Sequence, residues 1–124
     1  MTTTVHHLRQ TSPPHVTPWG PTETRDELEP GVWLITTASH GGLWLDVARR
    51  SEIPGALRDA AHIPGGIWFE EDCDLPAALY ALGINTDDRC RDAVAFWMPR
   101  AVCDVLGVEP HERNPRIIRE EKTQ

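Results

Sequence analysis

Eleven prolines and nine glycines punctuate these 124 residues, and they constrain the fold before any other feature does. Proline removes a backbone donor and crowds the preceding turn, and glycine weakens a helix interior. A chain interrupted this often does not build a bundle of long helices. It packs short elements around one core, and its length suits one domain. Apolar residues make up 40% of the chain; with glycine counted the content is ordinary for a folded protein, so wholesale disorder is excluded. No window approaches 18 consecutive apolar residues, and Met1–Pro18 lacks an apolar signal core. The chain is therefore expected to lack a membrane span and to be cytoplasmic.

The punctuation divides the chain. Residues 1–16 hold Thr, Ser, Pro13-Pro14 and three histidines (His6, His7, His15). Little there can offset ordering entropy, so they read as a flexible N-terminal arm. A single domain is expected over 17–108. Thr24–Leu28 reads as a short strand, and Pro30-Gly31 as a turn with glycine at positive φ. Val32–Thr37 is β-branched and aromatic, a strand with both faces apolar at its start. Ser39-His40-Gly41-Gly42 reads as the connection to a second strand, Leu43–Val47, in an antiparallel hairpin. Alternation there places Leu43, Leu45 and Val47 on one face and Trp44 and Asp46 on the other.

A short helix is expected near Pro54–Asp59, then a strand at Ile67–Glu71. Asp72 or Asp74 would cap a helix running through Ala77–Leu82 and ended by Gly83. A second helix spans about Asp88–Leu106, with Val94, Trp97, Ala101, Val102 and Val105 as its apolar stripe. Pro99 must kink or split it. Residues 109–124 read as a charged, frayed tail in which Ile117-Ile118 could dock. The fold class is α+β: a small three- or four-stranded antiparallel sheet followed by two packed helices.

Twelve basic against nineteen acidic residues give a net charge of −7, which disfavours nucleic acid as a partner. Cys73, Cys90 and Cys103 are odd in number and lack C-x-x-C spacing, so reduced thiols are expected, without disulfides or structural zinc. No cofactor is expected. Two polar blocks stand out, Thr36–Gly42 and Trp68–Asp74, the second with four carboxylates in five positions. If they meet, Ser39, His40, Trp44, Glu70, Glu71 and Asp72 form a binding surface, with Trp44 as an exposed anchor. Cys73, at a helix N-terminus, is a possible reactive thiol for His40, although the surrounding carboxylates raise a thiol pKa. His40, His62 and Glu70 or Asp72 have the ligand chemistry of a metal site without its usual spacing. The remaining reading is structural: His40 and Ser39 satisfy turn groups, Asp72 or Asp74 caps a helix, and Cys73 packs as a small apolar group.

Thr17-Pro18-Trp19-Gly20, Glu27–Val32, Thr37–Gly42, Ile53–Arg58 and Trp68–Asp74 together resemble a small bacterial domain of unknown function carried largely on phages, plasmids and integrated mobile elements. The resemblance covers about residues 17–82 and stops near Gly83. It implies a mobile-element accessory protein and transfers no catalytic assignment. The expected function is non-enzymatic binding of a host or phage protein, such as inhibition of a CRISPR or restriction defence. The alternatives are a small metal- or Cys/His-dependent hydrolase-like enzyme and a structural module with no site.

Overall fold

The computed structural model describes residues 12–84 and 88–123. Most of the expected arm, including His6 and His7, lies outside the described residues, as does the helix start expected at Thr86-Asp87. Within the described part, Val16–Thr17 (β1) and Gly20–Pro21 (β2) form a small antiparallel ribbon. Thr24–Glu29 (β3), Val32–Thr36 (β4), Gly41–Leu45 (β5) and Trp68–Glu70 (β6) form a four-stranded antiparallel sheet in sequence order. Val47–Arg50 (α1), Gly55–Ala60 (α2), Asp74–Leu82 (α3), Asp88–Trp97 (α4), Arg100–Leu106 (α5) and Pro115–Lys122 (α6) supply the helices. The protein is thus α+β, with the sheet first and the larger helices after it.

Register assigns the two faces of the sheet. Val32 opposes Leu45, and Leu43 opposes both Leu34 and Phe69. Val32, Leu43, Leu45 and Phe69 are fully buried and form the sheet side of the core, where they join Leu57 of α2, Ala77 and Ala78 of α3, Val94 and Met98 near the end of α4, and Val102 of α5. On the opposite face Trp33, Trp44 and Trp68 stand in one row across β4, β5 and β6. Trp19, from the turn of the β1–β2 ribbon, meets Trp68 edge to face at 5.5 Å. Trp44 is only 1% exposed. The expectation of an exposed Trp44 anchor is therefore corrected: the side chain is buried, with the Arg50 guanidinium over its ring at 5.8 Å.

The glycine pair also has a different job from the one expected. Gly41 and Gly42 are strand residues, and the connection is Thr37–His40. A Cβ on Gly42 would run into the Phe69 carbonyl oxygen and the Trp19 ring. Glycine is needed there for close approach, since it alone leaves room for Trp19 to lie on the strand. β5 stops at Leu45, so Val47 is not on its inward face. Asp46 instead caps α1, its carboxylate accepting from the Arg49 N–H at 3.1 Å.

Pro99 splits the long helix. Without a proline N–H, the Ala95 carbonyl loses its helical donor. His111 N–H (2.9 Å) and the Asn114 side-chain amide (2.7 Å) replace it. The segment expected as a frayed tail therefore returns to the core: α6 follows Asn114, Ile117 is buried, and α6 packs on α4. The break also turns the expected stripe. Val94 and Val102 face the core, whereas Trp97 (42% exposed), Ala101 and Val105 do not.

Candidate functional site

The two polar blocks are adjacent in space. Gly42 opposes Glu70 across β5–β6, and the Glu71 N–H donates to the Gly41 carbonyl at 3.0 Å. A Cβ on Gly41 would meet the Ile35 carbonyl oxygen at 2.7 Å, with Glu71 Oε2 beside it at 3.2 Å. Thr37 closes the bend that carries Ser39 and His40. Its hydroxyl donates to the His40 carbonyl at 2.7 Å and accepts from the His40 N–H at 3.2 Å. Ser39 adds a contact from its hydroxyl to the Trp19 carbonyl at 3.4 Å. The turn groups are thus satisfied mainly by Thr37, not by the Ser39 and His40 side chains.

Ser39, His40, Glu71 and Asp72 are exposed, and Glu70 is half-buried. Glu70 accepts from the Asp72 N–H at 3.0 Å. Among the described residues no side-chain hydrogen bond holds the His40 imidazole. The patch is therefore polar, acidic and open, and Trp44 lies beneath it in the sheet rather than in it.

A second constellation sits beside this patch, and only the fold assembles it. His62 follows α2, and Asp74 opens α3. His62 Nδ1 lies 2.9 Å from Asp74 Oδ2, and the His62 backbone N–H donates to the same oxygen at 2.8 Å. Asp74 is 0% exposed, while the His62 side chain is 60% exposed. The hydrogen bond to Asp74 raises the His62 pKa above its ordinary value, and the Asp74 charge adds to this. Asp74 is therefore an imidazole partner; neither it nor Asp72 caps α3, whose N-cap position is Cys73, without a side-chain cap. The other Asp74 oxygen, Oδ1, has no partner among the described groups.

Burial raises the Cys73 thiol pKa, and Asp74, Asp72 and Glu70 raise it further. That favours the thiol over the thiolate and counts against a nucleophile. Cys73, Cys90 and Cys103 form no disulfide among the described residues. Among the described residues no group of three His, Cys, Asp or Glu side chains converges on a metal position, so His40, His62, Glu70 and Asp72 do not assemble the ligand set considered from sequence.

A cleft of about 390 Å³ opens at the histidine pair, lined by His62, Cys73, Trp97, Arg116 and Arg119 among others. Sequence reasoning placed both arginines in a tail. The signal that marks them is Asn114-Pro115, an N-cap residue followed by proline at the first helical position. Nothing in the spacing of His62 and Asp74 signals their pairing.

Sheet and helices together define a small mixed α+β fold that carries an open polar patch. The chain belongs to the family described as Domain of unknown function (DUF7007), whose profile matches residues 12–124. The match continues well past residue 82, through the helices that the motif resemblance did not reach. No curated protein and no solved structure gives a significant match. No helix among the described residues is long and apolar enough to cross a membrane.

Proposed function

We propose that this protein is a non-enzymatic accessory protein of a mobile genetic element, and that it binds a host or phage protein through the patch of Ser39, His40, Glu70, Glu71 and Asp72. The observation carrying this reading is the β5–β6 register, which joins the bend and the acid-rich strand end into one exposed surface. A cluster of carboxylates on a chain of net charge −7 suits a basic partner surface and electrostatically steered encounter. Nucleic-acid-processing defence enzymes present such surfaces, and the motif resemblance to mobile-element domains supports a CRISPR or restriction effector as the partner. The raised Cys73 pKa and the dispersed metal-ligand types weigh against the hydrolase-like alternative.

The test is a plating assay in hosts carrying a defined restriction or CRISPR system, paired with direct binding to the purified effector. Expression should raise phage plating, and His40→Ala with Glu71→Ala and Asp72→Ala should abolish both protection and binding while the thermal midpoint stays unchanged. Protection that survives the triple substitution would refute the assignment of the surface. Absence of binding and protection across the systems tried would refute the function.

A further inference from the structure

The acidic patch leaves the cationic side of the molecule without a role. α6 carries Arg116 and Arg119 one turn apart, and both line the cleft with His62. Among the described residues neither guanidinium makes an ion pair or a side-chain hydrogen bond. Glu120 is engaged elsewhere, accepting from the Arg100 N–H at 3.3 Å. The arginines are thus uncompensated cations on an acidic protein, converging on a concave surface. Opposite them, Asp74 fixes the His62 ring through Nδ1, which leaves Nε2 as the ring's remaining polar atom. Trp97, packed edge to face on Phe96 at 4.7 Å, supplies an aromatic wall.

We propose that this cleft binds a phosphate monoester, with the phosphate held by His62, Arg116 and Arg119 and the esterified group lying against Trp97. Two guanidinium forks suit the oxygens of a tetrahedral dianion, and charge-assisted hydrogen bonds of this kind are the strong ones. A planar group such as a nucleobase gains from stacking on indole. The His62 pair supports the site electrostatically, since its raised pKa keeps the ring cationic to higher pH. Glu70 faces His62 closely enough to raise that pKa while Arg116 lowers it. Glu70 therefore acts in two directions, sustaining the imidazolium and repelling the anion. The thiol of Cys73 stays protonated and serves as wall, not nucleophile.

The full chain is titrated with inorganic phosphate, adenosine 5′-monophosphate and adenosine, read by NMR at the His62 ring and by Trp97-dependent fluorescence. Phosphate and the nucleotide should bind saturably, the nucleotide more tightly, and the nucleoside should not bind. Arg116→Gln with Arg119→Gln should weaken nucleotide binding by about tenfold or more; if that pair unfolds, Arg119→Gln alone, on an exposed side chain, should weaken it measurably. Trp97→Leu should remove the nucleotide's advantage over phosphate and leave phosphate binding intact. A 5′-phosphorylated oligonucleotide distinguishes the sources: tighter binding than the mononucleotide assigns a nucleic-acid end, and equal binding assigns a free metabolite. No saturable His62 response up to about 10 mM of either phosphate ligand, or affinity unaffected by loss of Arg119, would overturn the proposal.

Discussion

Replacing Asn114 with alanine should be among the most damaging single changes in the molecule, although this residue lies in a charged segment far from the sheet. Asn114 is 0% exposed. Its amide donates to the carbonyls of Ala95 (2.7 Å) and Met98 (2.8 Å), the acceptors left open where Pro99 ends α4. Its oxygen accepts from the N–H groups of Arg116 (3.0 Å) and Ile117 (3.2 Å) at the start of α6. One side chain thus closes two helix ends. Loss of the cap costs about 1 kcal/mol. Ala95 keeps the His111 N–H, but among the described residues Met98 retains only the Cys103 thiol at 3.7 Å, and a buried acceptor left so weakly bonded costs about 1–3 kcal/mol more. The expected total is about 2–4 kcal/mol, a lowering of the thermal midpoint by roughly 10 °C for a domain of this size. Urea and thermal unfolding followed by circular dichroism measure it. Asn114→Asp separates the two functions, since it keeps the capping oxygens but points a second oxygen at two carbonyls. It should be no more stable than the alanine variant at pH 7. It should recover partly at acid pH, because burial raises the new carboxyl's pKa and the protonated form can donate. A cost below about 0.5 kcal/mol for Asn114→Ala, or wild-type stability for Asn114→Asp at pH 7, would refute the reasoning.

The His62–Asp74 pair makes stability depend on pH. The folded pKa of His62 is raised, so its contribution is complete below the unfolded value near 6.5 and is lost as pH rises through the folded value. Denaturation midpoints should fall across that window in the wild type, and the step should be absent in His62→Gln; an equal slope in both would exclude the pair as its source. Gly42→Ala should cost about 1–3 kcal/mol by crowding both the Phe69 carbonyl oxygen and the Trp19 ring. Trp19→Ala should make the same change cheaper in a double-mutant cycle, whereas strict additivity would show that the two do not meet. Gly31→Ala should cost at least about 1 kcal/mol, because its φ is 81° and a Cβ would lie 2.6 Å from the Asp46 carboxyl; an unchanged unfolding midpoint would count against that contact.

Local chemistry carries much of the architecture. Pro30-Gly31 sets the first hairpin turn, and β-branched and aromatic runs set β4 and β6. Gly83 and Gly107 end α3 and α5 in the left-handed conformation. These features are short-range, so the residues that cause them sit beside the structure they cause. The sequence marked the Ser39-His40 bend and Glu70–Asp72 as two polar blocks but left open whether they meet; the pairing of β5 with β6 across two intervening helices brings them together. Local reasoning misplaced Trp44 because alternation assigns a side chain to a face and says nothing of what covers that face. On that face Trp19 packs on Trp68 and over Gly42, and the guanidinium of Arg50 lies over Trp44.

By itself, then, the sequence determined the main strands of the sheet, the helices around Gly55–Ala60 and Asp74–Leu82, the α+β class and the acidic balance, because backbone chemistry and charge are properties of adjacent residues. Tertiary structure alone decided that α6 folds back, that Asn114 seals the Pro99 break, and that His62 meets Asp74 with Arg116 and Arg119 close by. Those outcomes depend on which distant groups satisfy one another's hydrogen bonds in the interior. A buried carbonyl or carboxylate finds its partner by position in space, which no local pattern encodes.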